Sequence, residues 1–260
     1  MYREPTRFLT LTAMALVMGS VAPALAQDAE NQAQDTQGQV DVVRDYAVGL
    51  DEWGYEGLYE EGAWTAEQVL DAEVYGPTGD EIGDVENIVV GTGGTIEALI
   101  IEVGGFWDIG DTHVRVPWSE VDIGFANGEA NVQVPVTEET VEDYDVFGGI
   151  GGEFRVVDDD EPFTPRGWRV TELIDDYATL EGGVRYGWVE DLVFDQAGRL
   201  EAVVVDANYG TYGPYAYPYY GYGYGYRPGD PYYELPYGEA EISQLEPFDY
   251  KQLETMAEAD

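Results

Sequence analysis

Short runs of β-branched and aliphatic residues, each bounded by glycine, mark the middle of the chain. Residues 82–90 and 96–103 are two such runs, and Gly91-Thr92-Gly93-Gly94 lies between them. Glycine adopts a positive φ without steric cost, so this tract predicts the turn of a β-hairpin. Residues 65–70 and 119–123 predict single short helical turns. Short strands joined by glycine turns are typical of a small closed or nearly closed β-barrel.

The same pattern returns 104 residues later. Trp64–Asp71 matches Trp168–Asp175, and Gly94–Ile101 matches Gly198–Val205, without gaps between the blocks. Ten of the 38 positions from 64 to 101 carry the same residue in both copies. Further on, Val116-Pro117-Trp118 matches Leu235-Pro236-Tyr237 at a larger offset, so the second copy is expected to contain an insertion. A long period that is present twice predicts tandem domains.

The sequence therefore predicts a mainly β protein with two small β-barrels in tandem. A disordered acidic leader precedes them, and a Tyr/Gly-rich loop is inserted in the second. The predicted segments are a signal peptide (1–26), an acidic flexible leader (27–62), domain 1 (63–136), an acidic glycine-containing linker (137–165), domain 2 (166–250) with its insertion (207–229), and a C-terminal tail (251–260).

The first 26 residues have the pattern of a secretory signal. Arg3 and Arg7 precede an apolar run, Phe8–Gly19, which is followed by Ala24-Leu25-Ala26. This order is typical of a signal peptide, with cleavage expected between Ala26 and Gln27. The alternative is an N-terminal membrane anchor, but the run is shorter than the roughly 20 residues that a span needs. We expect a soluble, periplasmic protein.

The charge balance disfavours several classes of function. The chain has 53 acidic and 11 basic residues, a net charge of −42, one histidine and no cysteine. Binding to nucleic acid or to an anionic membrane needs a basic surface. Disulfides and thiolate metal sites need cysteine. The acidity itself has two interpretations, adaptation to salt or a functional surface, and the sequence leaves both open.

Four stretches of the first copy resemble the PRC-barrel domain family, whose module occurs in the H subunit of purple-bacterial photosynthetic reaction centres. They are Leu70–Tyr75, Gly79–Val85, Glu97–Phe106 and His113–Trp118. The second copy resembles a degenerate member, because it has Asp206–Tyr209 in place of the Val-Gly-Gly-Phe tract. The resemblance implies a small β-barrel that mediates protein–protein contact and shares no catalytic residues. The export signal and the acidity argue against carrying over the photosynthetic role.

The predicted insertion has an unusual composition. Tyr209–Tyr226 contains nine tyrosines, five glycines, two prolines and no charged residue. Tyrosine supplies rigid amphipathic contact area and is enriched at interfaces, so this segment is one candidate contact. The alternative is that the rings pack on the outside of their own barrel. The candidate contact residues are Tyr212, Tyr215, Tyr217, Tyr219, Tyr220, Tyr222, Tyr224 and Tyr226.

The remaining candidates have weaker patterns. His113 lies on a predicted strand and is expected to be a hydrogen-bonded residue, either at the surface or half-buried. Asp158–Glu161 could offer oxygen ligands to Ca²⁺ but lacks EF-hand spacing, so a solvated linker is favoured. The sequence contains no nucleophile elbow, P-loop or dinucleotide fingerprint.

We therefore expect an exported, non-enzymatic interaction or scaffold module that needs no cofactor and binds a protein partner in the cell envelope. Self-association stays open. One alternative is a periplasmic protein that binds a cation or ligand through its acidic surface or its tyrosines. An enzyme is the third interpretation.

Overall fold

A computed structural model describes residues 47–60, 62–103, 112–126, 128–137, 155–156, 167–207, 213–221, 224–226 and 230–257. The predicted signal peptide, its cleavage site at Ala26 and Gln27, and the leader to residue 46 lie outside these residues. So do Asp158–Glu161 and most of the predicted linker. Among the described helices, none combines the length and the apolar character that a membrane crossing requires.

The first half of the described chain is built mainly from short strands. The elements are α1 (Glu56–Glu60), β1 (Trp64–Thr65), α2 (Ala66–Val69), β2 (Glu73–Tyr75), β3 (Glu81–Gly91), β4 (Ile96–Val103), β5 (Thr112–Pro117), a 3₁₀ turn (Trp118–Glu120), β6 (Asp122–Ala126), β7 (Glu129–Gln133) and β8 (Arg155–Val156). The sheet order is β6-β7-β2-β3-β4-β5-β8. In β3, Ile82, Val85 and Ile88 are buried, and bulges against β2 and β4 shift the alternation of inward and outward side chains.

The second half repeats this arrangement with its own strands. Its elements are β9 (Gly167–Arg169), a 3₁₀ turn (Val170–Glu172), β10 (Tyr177–Leu180), β11 (Val184–Phe194), β12 (Leu200–Ala207), β13 (Tyr215–Pro218), β14 (Tyr232–Glu234), α3 (Glu239–Ile242) and α4 (Tyr250–Ala257). The sheet order is β13-β12-β11-β10-β14. The predicted mainly β fold with two small β domains in tandem is thus confirmed.

The two halves exchange their first strands. In β1, Trp64 lies opposite Phe194 of the second half, and in β9, Trp168 lies opposite Val90 of the first half. Both pairings are antiparallel and are related by the 104-residue offset. Each leading strand therefore completes the sheet of the other half, in the manner of a domain-swapped dimer within one chain.

The two hairpin turns meet at the centre of this exchange. Ile96 N–H donates to the Gly198 carbonyl (2.8 Å), and Leu200 N–H donates to the Gly94 carbonyl (2.7 Å). Between them, Thr95 and Arg199 form an antiparallel bridge. Interchanging the two halves converts one of these hydrogen bonds into the other, as expected for a two-fold axis between the halves. One apolar core accordingly runs through both halves and includes Trp64 and Trp168.

Two aspartates show how the repeat reflects backbone geometry. Asp71 and Asp175 are the described non-glycine residues with positive φ, at 61° and 72°. The backbone N–H of each donates to a carbonyl of the adjacent long strand, that of Val85 and of Val189 respectively. Short polar side chains such as Asp tolerate this left-handed conformation better than most. The residue shared by the two copies is thus explained by a shared turn.

Gly187 provides a test of close strand packing. A Cβ at this position would overlap the backbone carbonyl oxygen of Asp206, and Gly83 meets Glu102 in the same way. Gly187→Ala must therefore push β11 away from β12, which we expect to lower the free energy of unfolding by about 3 kcal/mol. Urea denaturation measures this change. Gly124→Ala is the matched control, because its Cβ would meet nothing within 4 Å; equal losses in the two variants would contradict the explanation.

The predicted insertion in the second half is wrong for the residues that the structure describes. Leu99 pairs with Val116 and, 104 residues on, Val203 pairs with Tyr217. Tyr215–Pro218 is therefore the equivalent of Val114–Pro117 and supplies a regular strand of the sheet. Val116-Pro117-Trp118 corresponds to Tyr217-Pro218-Tyr219 and not to Leu235-Pro236-Tyr237, which has the same apolar–Pro–aromatic pattern.

Leu235 takes another place in the repeat. Its backbone N–H donates to the Thr179 carbonyl (2.8 Å), as that of Val134 donates to the Tyr75 carbonyl (3.0 Å). Leu235-Pro236 thus follows β14 in the way that Val134-Pro135 follows β7. From β5 and β13 onward, the two copies are related by an offset of 101 residues.

The predicted flexible leader is also wrong for residues 47–60. Leu50, Tyr55 and Leu58 are buried there. The Trp53 indole N–H donates to the Ala216 carbonyl (2.9 Å), and the Tyr55 hydroxyl donates to the Glu246 carbonyl (2.9 Å). This segment covers the open side of β13.

The beginning of the predicted C-terminal tail is folded as well. α4 extends to Ala257, and its Leu253 is only 1% exposed. Leu253 belongs to an apolar cluster with Phe248, Tyr55 and Leu58. Residues near both ends of the described chain thus pack together. Burial of apolar side chains, which local composition did not show, holds both in place.

Candidate interaction surface

Three of the eight tyrosines predicted to contact a partner are buried in the protein's own interior. Tyr217, Tyr224 and Tyr226 are buried, at 0%, 4% and 2% exposure. Tyr215, Tyr219 and Tyr220 are half-buried, and Tyr212 and Tyr222 lie outside the described residues. The prediction of a partner contact is therefore wrong for the three buried rings, which lie among the side chains of their own half.

Two pairs of hydroxyl groups link tyrosines of the second half. The hydroxyls of Tyr186 and Tyr217 lie 2.6 Å apart, as do those of Tyr220 and Tyr237. Tyr237 also donates to the Val48 carbonyl at 3.0 Å. Burial raises the pKa of Tyr217 well above its ordinary value, so this phenol stays neutral. These bonds satisfy polar atoms in the core and tie the segment before α1 to the second half.

A different group of aromatic residues is exposed. Trp188 and Tyr232 are 37% and 42% exposed, and Tyr177 lies between them, opposite Trp188 on one side and Tyr232 on the other. Arg185 on β11 is exposed as well. We call this surface of β10, β11 and β14 the aromatic patch; its members are Tyr177, Arg185, Trp188 and Tyr232. Val184 precedes Arg185 at the start of β11 and is 44% exposed.

The centre of the aromatic patch is a stack. The ring centroids of Tyr177 and Trp188 are 3.9 Å apart with planes inclined by 32°, and the Arg185 Cζ lies 3.8 Å from the Tyr177 centroid. A guanidinium against an aromatic ring is a favourable cation–π contact. The stack holds three large side chains in defined positions, which reduces the entropy that they would lose on binding a partner.

The first half shows that the fold does not require these aromatic residues. At the equivalent positions it has acidic or amide side chains, all exposed: Glu73, Asp80, Glu81, Asp84 and Asn131. The strands that carry these positions nevertheless form in both halves, β7, β2 and β3 in the first and β14, β10 and β11 in the second. The aromatic patch is therefore a property of the second half alone.

The repeat itself contained a sign of this patch, since Trp188 aligns with Asp84 and Tyr177 with Glu73. Sequence reasoning missed it because an apolar residue on a strand usually points inward. The bulges beside these strands decide which side chains face solvent, and the alternating pattern does not show where they occur.

Carboxylates lie on two sides of the aromatic patch. Asp206 is exposed opposite Trp188 on β12, and with burial it raises the pKa of the neighbouring Glu190. On the other side, partial burial together with Asp175 and Asp230 raises the pKa of Asp176. Burial is the larger cause of both rises, and the carboxylates clustered at each edge add to it.

One further carboxylate lies at the contact between the halves. Asp191 is fully buried in a bulge of β11, and its Oδ1 accepts hydrogen bonds from the N–H groups of Leu192 (2.7 Å) and Glu67 (3.1 Å). Its Oδ2 has no hydrogen-bond partner. Burial raises its pKa to about 7. The equivalent residue of the first half is neutral Asn87, which accepts from Ile88 N–H and donates to the Thr171 hydroxyl.

The remaining sequence candidates can now be placed. His113 is half-buried on β5, with its Nε2 3.2 Å from Glu86 Oε2. Within the part of the chain that the structure describes, no group of three or more His, Asp or Glu side chains is arranged to hold a metal ion. The cation-binding alternative stays a prediction.

Comparison with known proteins adds one identification. Residues 63–148 match the family model of the PRC-barrel domain. This range begins at the exchanged strand β1 and contains the strands from β2 to β7. The second half lies outside the matched range, so its membership and the reaction-centre resemblance stay predictions. No curated protein matches the chain.

Proposed function

We propose that this chain, in which residues 63–148 form a PRC-barrel domain, is an exported, non-enzymatic protein-interaction module that binds a partner in the cell envelope. The family match supports the interaction role. The apolar run and the Ala24-Leu25-Ala26 site of the first 26 residues support export.

The observation that carries the proposal is the exposed aromatic patch. Trp188 and Tyr232 leave more than a third of their surface in solvent, although the same positions in the first half are polar. Large apolar residues exposed together mark interaction sites on soluble proteins. Because the fold forms without them in the first half, binding is the simplest reason for their presence.

Site-specific photo-crosslinking tests this proposal. A photoreactive amino acid is placed at Val184, next to the aromatic patch in the chain, and in a matched variant at Asp80, the equivalent exposed position of the first half. On irradiation of intact cells, we expect discrete crosslinked products from position 184 and none of the same mass from position 80. The products are resolved by electrophoresis against a tag on the chain.

Two outcomes would contradict the proposal. Identical products from positions 184 and 80 would show that the patch has no special role in binding. The absence of products from position 184 would show that the patch does not contact a partner. Fractionation of the same cells tests export separately. We expect the mature protein in the periplasmic fraction, with Gln27 as its first residue.

A further inference from the structure

We propose that the aromatic patch binds a partner protein whose contact surface has an apolar centre surrounded by lysine and arginine side chains. This inference rests on the proposed function and specifies the chemistry of the partner. Three observations support it: the residue types of the patch, the charges at its edges and the net charge of the chain.

The residue types are those that dominate binding energy at protein interfaces. Trp, Tyr and Arg are enriched among the residues whose truncation costs most affinity, and they cluster at the centre of the contact. Here the ring centroids of Trp188 and Tyr177 are 3.9 Å apart, and the Arg185 Cζ lies 3.8 Å from the Tyr177 centroid. A stack that is formed before binding provides a rigid central anchor for an apolar side chain of a partner.

The edges of the patch are acidic. Asp206 and Glu190 lie beyond Trp188, and Asp175, Asp176 and Asp230 lie beyond Tyr177 and Tyr232. Within each group the carboxylates repel one another. Basic side chains around the apolar centre of a partner would relieve this repulsion, and the long-range field would also speed encounter.

The charges disfavour a second copy of this chain as the partner. In a symmetric dimer the same surface would face itself, so both acidic edges would meet like charges. Each copy also carries a net charge of −42. Anionic lipid and nucleic acid are repelled for the same reason.

Peptide selection tests the inference with a defined probe. The full chain is used to select from a phage library of random peptides about a dozen residues long. We expect the enriched peptides to have a net positive charge and at least one aromatic or large aliphatic residue. Synthetic versions should bind at least tenfold more weakly to Trp188→Ala. Asp84→Ala is the matched control, and we expect its affinity to stay within twofold of the native value.

Salt supplies an independent measurement. The affinity of the selected peptides should fall several-fold between about 0.05 and 0.5 M NaCl, because screening weakens the attraction of exposed charges. Circular dichroism of each variant establishes that it is folded, and Tyr232→Ala provides a second patch variant if Trp188→Ala is not.

Several outcomes would overturn the inference. These are enrichment of neutral or acidic peptides, no enrichment, or equal loss of affinity in Asp84→Ala. Concentration-dependent dimerisation that Trp188→Ala abolishes would assign the patch to a second copy instead. The proposed function is tested separately. A protein that crosslinks to position 184 but has no basic contact surface would support the proposed function and would reject only the inferred chemistry of the partner.

Discussion

Replacing Asp191 with asparagine is expected to stabilise the protein, and to do so more strongly at about pH 8 than at about pH 5. Asp191 is fully buried, and its Oδ2 has no hydrogen-bond partner. Burial of this carboxyl group raises its pKa from the ordinary value of 3.8 to about 7. The ionised form is therefore disfavoured in the folded state relative to the unfolded chain.

The sign of the pH dependence follows from this rise. Between about pH 4 and pH 7, the folded protein holds a proton at Asp191 that the unfolded chain has lost. The free energy of unfolding therefore falls as the pH rises through this range and levels off above pH 7. A rise from 3.8 to about 7 corresponds to a loss of at most about 4 kcal/mol. An asparagine does not ionise, so Asp191→Asn should recover most of this loss at pH 8.

The first half shows that asparagine fits this position. Asn87 lies in the equivalent bulge and accepts a hydrogen bond from Ile88 N–H, as Asp191 accepts one from Leu192 N–H. Urea denaturation of the native chain and Asp191→Asn across pH 5 to 8 measures the effect. Asp84→Asn, at an exposed position, is the matched control. A difference between Asp191→Asn and the native chain that does not change with pH would reject this explanation.

Trp64→Ala and Trp168→Ala are each expected to lower the stability of the whole molecule, not of one half. Trp64 is 3% exposed and stacks on Phe194 of the second half, with ring centroids 4.9 Å apart. Trp168 is fully buried and lies opposite Val90 of the first half. Removing either indole leaves a cavity where both halves meet, which costs about 3–5 kcal/mol.

Scanning calorimetry measures this prediction. Because the halves exchange strands and share one core, we expect the native chain to unfold in a single transition. Both variants should shift that transition by roughly 10 °C to lower temperature without splitting it. Trp188→Ala removes an exposed tryptophan and should shift it by a few degrees at most. Two resolved transitions, with each substitution affecting only one, would show that the halves fold independently.

The elements that the sequence predicted correctly depend on local chemistry. The glycine turn at 91–94 and the strand from Ile96 follow from residues that lie next to one another. The repeat was visible because shared backbone geometry requires shared residues: Asp71 and Asp175 adopt positive φ, and Gly83 and Gly187 allow close strand contact.

The position of the aromatic patch could not be predicted from local sequence, because local sequence does not show which aromatic residues are exposed. Tyr217 and Trp188 are both aromatic residues on strands, yet the first is buried and the second is 37% exposed. The difference arises from the position of each bulge and from the segments that cover each face. Residues 47–60, for example, cover β13 and bury tyrosines that composition alone had suggested for a partner.

The sequence by itself thus determined the mainly β class, the two copies, the hairpin turns and the excess of acidic residues. The tertiary structure alone decided that β1 and β9 exchange places, that Tyr217, Tyr224 and Tyr226 are buried and that an aromatic patch is exposed. The physical reason is that a strand's alternating pattern specifies which side chains share a face. It does not specify which of several compatible strands becomes the partner. For Trp64 the partner residue is Phe194, about 130 residues away in the chain.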